Sequence, residues 1–109
     1  MIEISKRDWK LFREKLCEWQ EHYMDSLIKE YIHMLSAPGN ASDHFWELEK
    51  RIKEDKKHPG VLLEVSKRNA IWDIADFVQL GVISMDDLDG FSIELIDEVK
   101  EIYKRRRNE

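Results

Sequence analysis

The sequence predicts an all-α fold: a small helical bundle with one long N-terminal helix, three further helices and a short one-turn helix. Three observations predict it. Only four Gly and two Pro interrupt 109 residues, so most of the chain lacks a backbone breaker. Apolar residues recur three and four apart, the spacing of a helix face. The one β-rich run, Val61–Val65, has no second strand to pair with and reads as extended packing or an extra turn. The length fits one domain, residues 1–109, around one core. Such a chain can bury about two-thirds of its unfolded surface, so it needs neither a disulfide nor a metal to fold.

The first helix is expected from Lys6 to Leu35. Ser5, followed three residues later by Asp8, is a capping-box-like start. Trp9, Phe12, Leu16, Trp19 and Tyr23 form a narrow seam of coiled-coil period. Beyond Tyr23 the seam widens into Met24, Leu27, Ile28, Tyr31, Ile32, Met34 and Leu35. At about 100° per residue these cover nearly half the helix, which should therefore face more than one neighbour.

Pro38, Gly39 and Asn40 mark a loop, after which Ser42 or Asp43 caps a second helix, residues 43–57. Its seam is thin, Phe45, Leu48 and Ile52 with Trp46 at the margin, so it should be peripheral. Glu47–Arg51 and Glu49–Lys53 are spaced for ion pairs. His58-Pro59-Gly60 breaks the chain. Ser66 caps a third helix, 67–80, with Ala70, Ile71, Ile74, Ala75, Phe77 and Val78 on one arc and Trp72 outside it. Gly81 and Val82 fit a Schellman ending. Ser84 as N-cap puts Asp87 at the third helical position, with Ile83 and Leu88 as a hydrophobic staple over a single turn, 85–89. Ser92 restarts the pattern, with Phe91 and Ile96 as a second staple. The last helix, 93–107, carries Leu95, Ile96, Val99, Ile102 and Tyr103 on one arc. Lys104, Arg105, Arg106 and Arg107 complement its negative end.

Several chemistries lack their residues. A single cysteine, Cys17, cannot form an intrachain disulfide, and at the border of the first seam it reads as a buried or half-buried structural thiol. The first ten residues lack a signal-peptide core, and no stretch approaches the roughly 20 apolar residues of a membrane span. A cytoplasmic location is expected. Glu30-Tyr31-Ile32-His33 has the Glu-x-x-His spacing of di-iron bundles, but the second such element they need is missing from the sequence. Met85-Asp86-Asp87-Leu88-Asp89-Gly90 fails as a calcium loop because its register puts Met85 and Ile96 at ligand positions. No phosphate-binding Gly-rich loop and no nucleophile elbow is present, so the expectation is no catalytic residue, no metal and no cofactor.

Charge is distributed unevenly beneath a net of −5. Asp73, Asp76, Asp86, Asp87, Asp89, Glu94, Asp97 and Glu98 lie between Asn69 and Val99 with no Lys or Arg among them. The tail then turns basic. Acids on the third helix, the short turn and the last helix suit a protein partner with a basic surface, and Trp72 suits an aromatic anchor among them. The same acids also suit helix starts, where the dipole favours them. The expected function is a small acidic, non-enzymatic protein-interaction module, an adaptor or inhibitor of a basic, nucleic-acid-binding type of protein. Two alternatives are a homodimer built on the Trp9–Tyr23 seam and a nucleic-acid binder using the basic tail. Acids on the would-be recognition turn disfavour the latter.

Overall fold

A computed structural model describes residues 2–108. Among the described residues every regular element is helical: α1 (Lys6–Ser36), α2 (Ala41–Asp55), α3 (Ala70–Gln79) and α4 (Ile93–Arg107). A lone 3₁₀ turn spans Met85–Leu88, and a second, Lys67–Asn69, runs directly into α3. The Val61–Val65 run forms no strand. No helix is long and apolar enough to cross a membrane among the described residues.

The chain divides into two compact units. One comprises Met1–Trp19 with Glu64–Glu109, the other Gln20–Leu63, so α1 contributes to both.

In the first unit the seam of α1 supplies Phe12, Leu16 and Trp19 to a core shared with Ile71, Ile74, Ala75 and Phe77 of α3 and Leu95, Val99 and Ile102 of α4. Trp19 gathers three rings, with Phe77 edge-on at 6.0 Å and Phe12 and Phe91 tilted at 6.2 Å. The punctuation forms as its chemistry dictates. Gly81 takes φ +76°, Val82 N–H donates to Phe77 C=O and Gly81 N–H to Val78 C=O, the two bonds of a Schellman ending. The Asp87 carboxylate reaches back to accept from Ser84 N–H at 2.7 Å and from the Ser84 hydroxyl. Ile83 and Leu88 are both buried, as a staple requires.

Asp8 departs from its expected role. Its own N–H donates to Ser5 Oγ, but its carboxylate, 2% exposed, turns away from Ser5. It accepts instead from Ser92 N–H at 3.0 Å and from the Ser92 hydroxyl. Ser92 Oγ in turn accepts from Leu95 N–H, so a carboxylate on α1 backs the N-cap of α4. A hydroxyl bound to a carboxylate is a better acceptor for the helix N–H, which explains the choice.

The second unit is an antiparallel hairpin of the latter part of α1 and α2. Asn40, not Ser42 or Asp43, is the N-cap, so α2 starts earlier than its sequence signals suggest. His44 Nε2 meets Ala37 C=O at the loop, Tyr31 OH donates to Asp55, and Gln20 Nε2 donates to Pro59 C=O at the far end. Arg51 turns to Asp55 and Glu30 rather than to Glu47, while Glu49–Lys53 pairs as its spacing predicts. Tyr23 stacks on His58 at 4.4 Å, and Gly60 lies directly beneath it. A Cβ on Gly60 would stand 2.5 Å from Tyr23 Cδ2, so this position requires glycine for close approach.

Candidate interaction surface

Seven of the eight acids between Asn69 and Val99 fall into three groups. Asp76 accepts from Arg106 Nη1 at 2.7 Å, and Glu98 faces Arg105 at 3.9 Å. Asp87 is spent on the turn at Ser84. Asp86, Asp89, Glu94 and Asp97 are exposed, and among the described residues none has a cation within ion-pair distance.

Asp73 behaves differently from all of these. Its Oδ2 is buried without a hydrogen-bond partner. Burial, and then the neighbouring Asp76 charge, push its carboxyl up to about 6.

The tail is not a loose basic end. Arg106 bonds both Asp76 and Gln79 Oε1, and its guanidinium lies 5.7 Å from the Trp72 ring centroid. Arg107 covers the ring of Tyr103. Trp72 is therefore a half-covered aromatic, flanked by a cation of its own chain. Charge counting could not find this, because the pairing joins Asp76 to a residue 30 positions away.

The seam Trp9–Tyr23, the expected dimer surface, is used within the chain. Phe12, Leu16 and Trp19 are buried, and Tyr23 is packed on His58. Cys17 departs from the expected buried or half-buried thiol: it is exposed. Glu30 and His33 stand on exposed helix surface, and no group of three or more metal-ligating side chains occurs among the described residues.

Sequence reasoning passed over the most unusual surface. Of the wide apolar arc on the latter part of α1, Leu27 is buried, while Ile28, Ile32 and Leu35 are exposed. Helix α2 buries no residue at all. Phe45 is 63% and Trp46 61% exposed, their rings in edge-to-face contact at 4.9 Å, and Ile52 is also exposed. The signal was present in the width of the arc, of which Ile28, Ile32 and Leu35 stay uncovered among the described residues.

Tyr31, at the seam between the two helices of the hairpin, has its phenol pushed up to about 12 by burial, by its bond to Asp55 and by the Asp55 charge. It stays a neutral donor across the physiological range and holds the pair together as a hydrogen bond, not as a charge. Comparison with known proteins returns no match to a family model, to a curated protein or to a solved structure.

Proposed function

We propose that the protein is a non-enzymatic interaction module that meets a basic protein surface through the acidic region from Asp73 to Glu98. One observation carries the reading: Asp86, Asp89, Glu94 and Asp97 remain exposed and uncompensated while the same chain's arginines compensate Asp76 and Glu98. Uncompensated charge of one sign speeds encounter with an opposite surface and fixes its orientation. The half-covered Trp72 supplies an apolar contact beside it, which opens further when Arg106 is drawn to another acceptor.

The test reverses charge at side chains that make no cap hydrogen bond. Immobilised protein is exposed to native cell extract at low and high salt, beside the triple variant Asp86→Lys, Asp89→Lys, Asp97→Lys. A set of proteins retained at low salt should be released at high salt and lost from the variant, with its helical circular dichroism unchanged. Retention of the same proteins by both forms, or binding indifferent to salt, removes the proposal.

A further inference from the structure

We propose that the outer face of α3 is a recognition site for an arginine of a basic protein partner, and that Arg106 of the same chain fills it until that arginine arrives. The inference rests on the acidic reading above and names the side chain by which such a partner is recognised.

Trp72, Asp76 and Gln79 follow one another at i, i+4 and i+7, so they stand on one face of α3. That face is turned away from the core into which the same helix sends Ile71, Ile74 and Phe77. It offers a ring, a carboxylate and an amide oxygen within two turns, and Arg106 shows that the three act together. Its Nη1 donates to Asp76 Oδ1 at 2.7 Å and to Gln79 Oε1 at 2.8 Å, while its guanidinium carbon lies 5.7 Å from the Trp72 ring centroid. A charged acceptor, a neutral acceptor and a ring face are what a guanidinium binds. Its flat, weakly hydrated cation suits the ring better than the compact ammonium of lysine.

The resident arginine fits incompletely. Both of its hydrogen bonds come from Nη1, and its other nitrogens make none among the described residues. Helix α4 dictates its approach: Arg106 is four residues beyond Ile102 and seven beyond Val99, both buried, so its stem leaves from the packed side of α4. An arginine arriving from outside is free of that constraint.

The hold is also weak. The Arg106 and Asp76 side chains are 29% and 43% exposed, and an ion pair this open to water biases the pairing by only about fivefold or less. A competing arginine therefore works against a small preference. Its arrival leaves α4 in place, because Ile102 anchors the helix one turn earlier. The neighbouring tail arginines are occupied elsewhere, Arg105 beside Glu98 and Arg107 over Tyr103. The exposed acids Asp86, Asp89, Glu94 and Asp97 belong to the same unit and draw a basic segment toward it.

Titration of the full chain with hexa-arginine and with hexa-lysine at low salt, followed by NMR through the tryptophan indole N–H signals, tests this. Trp72→Phe assigns the Trp72 signal among the four tryptophans. Hexa-arginine should shift that signal and hexa-lysine should leave it in place. Arg106→Lys keeps the charge of the resident side chain but replaces its planar fork by an ammonium. It should therefore bind hexa-arginine about three- to fivefold more tightly than wild type, with hexa-lysine affinity and the circular dichroism unchanged. The proposal is overturned if hexa-arginine binds without moving the Trp72 signal, or if Arg106→Lys binds both peptides as the wild type does. Hexa-lysine reports on the acidic reading by itself. If salt and the triple variant Asp86→Lys, Asp89→Lys, Asp97→Lys release both peptides while Arg106→Lys changes nothing, the acidic reading stands and the arginine site falls. Failure of both peptides to bind removes both.

Discussion

Asp73 sits in the first turn of α3, where a carboxylate favours the helix dipole, yet one of its oxygens is buried without a partner. The desolvation outweighs the dipole, and the carboxyl titrates near 6 rather than near its usual value of about 4. Its folded pKa lies above the unfolded one, so the protonated form is the one the fold favours. Stability from this group is therefore fully present below about pH 4 and is lost as pH rises through about 6. Replacing Asp73 by Asn should raise the unfolding free energy at pH 7 by about 1 kcal/mol and leave it nearly unchanged at low pH. Urea denaturation at the two pH values measures both. An equal effect at each pH would assign the change to packing instead of charge. None of this was legible in the sequence, where Asp73 is one acid among eight; its burial depends on which face of α3 meets the core. Asp8 was hidden for a related reason. Its spacing from Ser5 is that of a local cap, and only the fold brings Ser92, 84 positions away, within reach of its carboxylate.

Helix by helix, the legible parts were those fixed by local chemistry. The Gly81 ending, the Asp87 bonds to Ser84 and the Ser92 cap depend on residues within a few positions of one another, and each formed as predicted. Periodicity also identified the seam Phe12, Leu16, Trp19 as a core face, because a narrow stripe has one way to be buried. It could not identify what the wider arc beyond Tyr23 packs against. A helix face records that it is apolar, and the covering surface can belong to another molecule. The turn that closes the hairpin depends on a contact that punctuation alone does not reveal. His58-Pro59-Gly60 reads as a breaker, but Gly60 is also the space in which the Tyr23 ring rests. Gly60→Ala should therefore destabilise the hairpin by about 1–3 kcal/mol, the cost of overpacking against a ring that cannot withdraw. Thermal unfolding, with Tyr23→Leu as background, checks the cause: the penalty should shrink when the ring is removed.

At the scale of the whole molecule, burial is concentrated in one of the two units. The unit with α3 and α4 contains Phe12, Ile74, Phe77, Leu88 and Val99 at complete burial, whereas α2 buries none of its residues. Local opening follows buried contact, so stability should differ along the chain. Native-state hydrogen exchange should show α2 amides exchanging through openings of lower free energy than those of Val99 and Ile102 in α4. Uniform protection along the chain would contradict this division.

The two units also differ in how they are strung on the chain, and this has a consequence for synthesis. The hairpin is one uninterrupted stretch, Gln20–Leu63, while the other unit is made of two pieces that flank it. On a ribosome the hairpin has all of its residues well before α4 exists. The carboxylate of Asp8 must wait for Ser92, and Trp19 must wait for Phe77 and Phe91, before either finds its partner. For that interval the nascent chain holds every residue of the hairpin while the other unit still lacks α3 and α4, so contacts within Gln20–Leu63 are the first that can form.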